Sequence, residues 1–241
     1  GGSILFHSGV GSSGTSGSIF IGTMDSDMKS GNIKLFSGSS SSGSSGEILI
    51  SSGAALDGLA GEIIISSGKS SKSHGSNIMI SAGDSKEHTG GHLELRSGSS
   101  DNMQSGNIIV QTQSSNQNGG SGFIRFNTGD AADEAGSVSL STGASALGGA
   151  GNILFHVGSS ASENTGAGDI SLHAGSNAQG TGGTIEVKSG SSASSLSGQV
   201  SFLTANSDSG SGMIVMKTGD SSDGSAGGIS VSVGNSISNM G

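Results

Sequence analysis

The sequence predicts an all-β fold, a β-solenoid of sixteen stacked coils with about 15 residues per coil and glycine at the corners. Three observations predict it. A short apolar run recurs about every fifteen residues along the chain, a glycine precedes nearly every run, and a second glycine follows most of them. The runs are rich in β-branched residues and end in Ser, Thr and Gly, which is typical of short strands.

The repeats form one continuous array over residues 1–241. Position one of each repeat is the residue before the apolar run, and it is glycine in every repeat except one. The sixteen repeats begin at Gly2, Gly17, Gly31, Gly46, Gly61, Ser76, Gly91, Gly106, Gly122, Gly136, Gly151, Gly168, Gly183, Gly198, Gly212 and Gly227. Gly1 and Gly241 both fall at position fifteen, so we expect further coils to stack on both ends of the array.

Positions three and five are predicted to point inward, because side chains alternate along a strand. Position three is Ile, Leu or Val in all sixteen repeats, and position five is always a large apolar residue. In the solenoid these columns form a buried core ladder, exemplified by Ile48, Ile50, Ile63, Ile65, Ile78 and Ile80. Position ten is always small or Asn and is expected to face the ladder across a flattened coil.

Glycine at position eight, found in thirteen repeats, predicts a corner. A glycine recurring at one point of a coil indicates a positive φ or a close backbone approach.

The outward position four is apolar in half of the repeats. Such a stripe on a flat sheet promotes aggregation unless a partner covers it. We expect lateral pairing or another layer to cover it, and the alternative is scattered apolar residues tolerated in solvent. The predicted lateral interface contains Leu5, Phe20, Leu49, Ile64, Met79 and Ile109.

The composition excludes several classes of protein. The chain has 47 Gly, no Cys and 11% charged residues, which argues against an ordinary enzyme core, a disulfide framework or a thiolate metal site. A net charge of -9 gives no support to nucleic-acid binding. No apolar stretch reaches the roughly 18 to 20 residues that span a bilayer.

Two residue pairs are weak candidates for metal binding. His156 and His173 both occupy position six, and Glu47 and Glu62 both occupy position two of adjacent repeats. Zinc requires convergent, oriented ligands, and calcium takes six to eight oxygens. We therefore interpret both pairs as solvated surface residues and assign no catalytic, cofactor or metal residue.

The spacing of Ser, Gly and apolar residues in 45–53 and 105–110 resembles the Ser/Gly-rich short-repeat proteins predicted from microalgae such as diatoms. The resemblance covers the whole chain. It implies a secreted or cell-surface structural protein without catalytic residues.

The sequence therefore predicts a structural, non-enzymatic protein of an extracellular fibre or adhesive matrix, which self-associates by coil stacking. The alternative is a module that presents a flat face to ice, mineral or polysaccharide, although the outward positions two, four and six hold a single threonine, Thr184. The chain has no Asn-x-Ser/Thr sequon, so the candidate glycans are O-linked.

Overall fold

A computed structural model describes residues 2–12, 14–115 and 119–235. The residues in these ranges contain no helix and no β-strand, and few contacts join residues far apart in the sequence. The prediction of a β-solenoid is therefore wrong. The contacts divide the chain into two units, Gly1–Ile124 and Arg125–Gly241. Both terminal glycines, used above to predict further coils, lie outside the described residues.

Each repeat consists of a segment, positions one to seven, and a connector loop, positions eight to fifteen. The loop closes at its base, where the backbone N–H of Gly17 donates to the carbonyl oxygen of Gly9 at 3.0 Å. In this bond the donor is at position one and the acceptor at position eight of the preceding repeat. We call this closure the neck. Bonds of 2.9 Å form the same neck from Gly91 to Gly83, Gly106 to Gly98, Gly183 to Gly175 and Gly198 to Gly190.

The residue at position seven packs against position one of the next repeat. Its hydroxyl donates to the carbonyl oxygen of the next position one in three repeats: Thr23 to Gly31 (3.4 Å), Ser67 to Ser76 (3.1 Å) and Thr142 to Gly151 (3.2 Å). Only four of the described residues are half-buried, and all four are at position seven: Ser8, Ser37, Ser189 and Thr218. The neck is therefore the most protected part of the repeat.

The neck is incompatible with stacking of the two coils that it joins. In a solenoid, position one of each coil lies about 4.8 Å from position one of the next coil. In the five repeats that form a neck, the next position one is hydrogen-bonded to position eight instead. An extended segment of seven residues spans roughly 23 Å. Successive segments that are extended would thus begin far apart and could not form a ladder in register.

The expectation for glycine at position eight is corrected as well. No position-eight glycine among the described residues has a positive φ, which is found there only at Gly210. A methyl group added at Gly175 or at Gly190 would meet no atom within 4 Å. The close approach lies at position one, where a methyl group on Gly183 would be 3.2 Å from the Cβ of Ala174. Glycine is needed where the loop closes rather than where it leaves the segment.

The side chain at position ten accepts the hydrogen bonds of a turn in many of the loops. The Oγ of Ser192 accepts hydrogen bonds from the N–H groups of Ser194 and Ser195 at 3.4 and 3.0 Å. Ser and Asn favour such turns because their side chains bond to backbone groups two or three residues on. The same acceptor role at position ten is filled by Ser40, Ser70, Ser85, Ser100, Ser145, Asn177 and Ser221. These residues shape the loop.

The apolar side chains form no core. None of the described residues is a buried hydrophobic residue. The chain exposes 24944 Å² of surface, whereas a compact protein of 23.1 kDa exposes about 9,700 Å². No described residue belongs to a helix that could cross a membrane.

Candidate interaction surface

The predicted core ladder lies on the surface. Ile48 and Ile63 at position three are each 49% exposed. Ile78 is similar, and the position-five residues Ile50, Ile65 and Ile80 are more exposed. The burial expected of this ladder depends on coil stacking, which the structure does not show. Position three nevertheless remains better protected than position five in these three repeats.

The predicted lateral interface is exposed too. Ile64 is the least exposed of its six members, at 74%, and Phe20 is the most exposed, at 92%. The remaining members are Leu5, Leu49, Met79 and Ile109. In some repeats positions three, four and five are all large and apolar, as in Ile63, Ile64 and Ile65. There the residues of the predicted core ladder and of the predicted lateral interface form one exposed apolar run. Contiguous exposed apolar surface is characteristic of interaction sites.

The segments and the loops differ in net charge. Positions one to seven carry five basic and five acidic residues over the whole sequence, whereas the loops carry four basic and thirteen acidic residues. The entire net charge of -9 therefore lies in the loops. Segment cations take part in ion pairs, as Arg96 does with Glu94 at 2.5 Å and Lys217 with the loop residue Asp220 at 3.6 Å. The segments are apolar and neutral, and the loops are acidic and hydroxyl-rich.

The candidate metal-binding pairs remain surface residues. His156, His173, Glu47 and Glu62 are all exposed. No group of three or more His, Asp or Glu side chains in the described ranges is arranged to hold a metal ion.

An open concavity in the unit Arg125–Gly241 joins residues three repeats apart. Thr142 and Gly151, which are joined by the hydrogen bond of the Thr142 hydroxyl, line it together with Gly190 of a later neck. Lys188 and Gln199 contribute polar groups. Repeats that are not consecutive thus approach one another without forming hydrogen-bonded strands.

The sequence interpretation missed the roles of the neck and of the turn. The signals were present in the repeat: glycine at position one, a small or β-branched residue at position seven, and Ser or Asn at most position tens. Each signal also fits a stacked coil, so the pattern alone did not reveal the hydrogen-bond partners.

No protein-family model, curated protein or solved structure matches this chain. The exposed segments, the closed loops and the distribution of charge are the features from which a function is inferred.

Proposed function

We propose that this chain is a non-enzymatic structural protein of the cell exterior that self-associates laterally into a fibre or adhesive matrix. The exposed apolar segments would form the contacts, and the acidic, Ser-rich loops would form a hydrated coat. The observation that carries the proposal is the surface position of the apolar residues at positions three to five. Coil stacking has no part in this association.

The free energy available from covering one segment supports the proposal. Complete burial of an Ile side chain contributes about 1.5 to 3 kcal/mol. Ile63 is 49% exposed, Ile64 74% and Ile65 71%. Covering what remains exposed on these three side chains would therefore contribute about 3 to 6 kcal/mol. Several segments on one chain would multiply this contribution and offset the entropy lost on association.

The loops suit an exterior location. They hold most of the serines, they are exposed, and they carry the net negative charge. Hydroxyls and carboxylates remain hydrated when the segments are covered, and the Ser and Thr hydroxyls are the candidate sites for O-linked glycans. Mutual repulsion would disfavour contacts between acidic loops, so the segments would supply most of the contact area.

The test compares apolar residues on a segment with apolar residues in a loop. The segment variant is Ile63→Ser with Ile64→Ser and Ile65→Ser. The control is Leu56→Ser with Leu59→Ser, which removes two loop leucines that are 102% and 100% exposed. Sedimentation velocity over a range of concentrations measures self-association. We expect the segment variant to need at least about tenfold higher concentration, because each 1.4 kcal/mol corresponds to a factor of ten.

The loop control should remain within about twofold of the wild type, since lone exposed leucines in loops contribute little. A wild-type chain that stays monomeric at every concentration would refute the proposed function. Equal effects of the two variants would show that the segments are not the contact.

A further inference from the structure

One connector loop has a net positive charge, whereas every other charged loop has a net negative charge. Residues 68–75 contain Lys69 and Lys72 and no acidic residue, and no other loop has a net positive charge when His is counted as neutral. The other two loop lysines, Lys29 and Lys86, each share their loop with two carboxylates. Neither Lys69 nor Lys72 forms an ion pair with any residue that the structure describes.

The basic loop has a defined turn. The N–H of Ser73 donates to the Oγ of Ser70 at 3.0 Å, which bends the chain between the two lysines. Ser71, Lys72, Ser73 and His74 line a concavity at this turn, and both lysines are exposed. The loop therefore presents cationic side chains around a fixed bend.

The most acidic loop lies in the other unit of the chain. Residues 129–135 hold Asp130, Asp133 and Glu134 and no basic residue, which is the largest negative charge of any loop. All three carboxylates are exposed. Each of the remaining charged loops also has a net negative charge, so contacts among them are repulsive.

We propose that the basic loop 68–75 docks onto the acidic loop 129–135 of a second copy of this chain. This inference rests on the proposed function and adds an orientation to it. The contact pairs different surfaces of the two copies, and such heterologous contacts generate open assemblies unless the rotation closes a ring. The occupant is a second copy because the chain itself supplies a complementary acidic loop, with Asp130, Asp133 and Glu134.

The contact is expected to set orientation and association rate more than affinity. Exposed ion pairs are weak, and complementary charge acts mainly by steering the encounter. The steering extends over a screening length of about 8 Å at physiological salt and about 3 Å at 1 M. The apolar segments would then supply most of the affinity.

The test reverses the charge of the basic loop in the full chain. Lys69→Glu with Lys72→Glu should weaken self-association about two- to tenfold at low salt and have no effect near 1 M salt. The control, Lys29→Glu with Lys86→Glu, makes the same change in net charge in two other loops. Mixing the Lys69→Glu, Lys72→Glu protein with an Asp130→Lys, Asp133→Lys protein should restore association toward the wild-type concentration.

The outcomes separate this inference from the proposed function. A wild-type chain that does not associate overturns both. Association that is weakened equally by the charge reversal and its control overturns the docking alone, as does failure of the mixed variants to recover. Binding of dextran sulfate to the wild type that is lost with Lys69→Glu and Lys72→Glu, while self-association is unchanged, would assign the loop to a polyanion instead.

Discussion

The role of the neck can be tested by substituting alanine for one or the other of its two glycines. Gly183 donates and Gly175 accepts the same 2.9 Å hydrogen bond. An alanine at Gly183 would place its Cβ 3.2 Å from both the Cβ of Ala174 and the nitrogen of Gly175, whereas an alanine at Gly175 would meet nothing within 4 Å. We expect Gly183→Ala to open the neck and Gly175→Ala to leave it closed.

The change in the free energy of neck closure can be estimated from the hydrogen bond that is lost. Replacing glycine with alanine lowers the conformational entropy of the unfolded chain, which stabilises the folded state by about 0.4 to 1 kcal/mol at a compatible site. This contribution is common to both variants. The difference between the variants is then the hydrogen bond, worth about 0.5 to 1.5 kcal/mol. Closure of the neck should be about two- to thirteenfold less favourable in Gly183→Ala than in Gly175→Ala.

Amide hydrogen exchange of residue 183, followed by NMR in the wild type and both variants, measures this difference, because exchange requires the bond to open. The amide should exchange faster in Gly183→Ala by that factor. Equal exchange in the two variants, or faster exchange in Gly175→Ala, would refute the role assigned to position one.

Two further predictions test the turn and the fold. Ser192→Ala should increase proteolytic cleavage of its loop, because two N–H groups lose their acceptor. Ser192→Asn should not increase cleavage, since the Oδ1 of Asn177 accepts the equivalent pair of hydrogen bonds at 2.9 Å in its own loop. Equal cleavage of the two variants would contradict the role of the turn. The far-UV circular dichroism of the monomer should lack the minima of helix and sheet, and a clear β-sheet spectrum at concentrations without association would contradict the observed architecture.

Hydrogen bonds recur at positions that the sequence pattern singles out, but the contacts differ from those predicted. The sequence pattern identified positions one, eight and ten as special, and the structure uses these positions in the neck and the turn. Glycine at position eight was interpreted as the point of close approach, whereas the structure places that approach at position one, as at Gly183. Both columns are almost entirely glycine, so their composition could not indicate which one lies against a side chain.

The fold class was predicted wrongly because a fifteen-residue repeat is compatible with two different paths of the backbone. A chain can return to stack position one on position one, or it can close each loop onto its own base, as Gly17 does with Gly9. Both are compatible with small residues at the junction and a regular apolar column. They differ in where the next segment begins, and in the observed closure a column such as Ile48, Ile63 and Ile78 receives no cover from neighbouring coils. Any cover for that column would have to come from other segments, and this is the argument for the self-association proposed above.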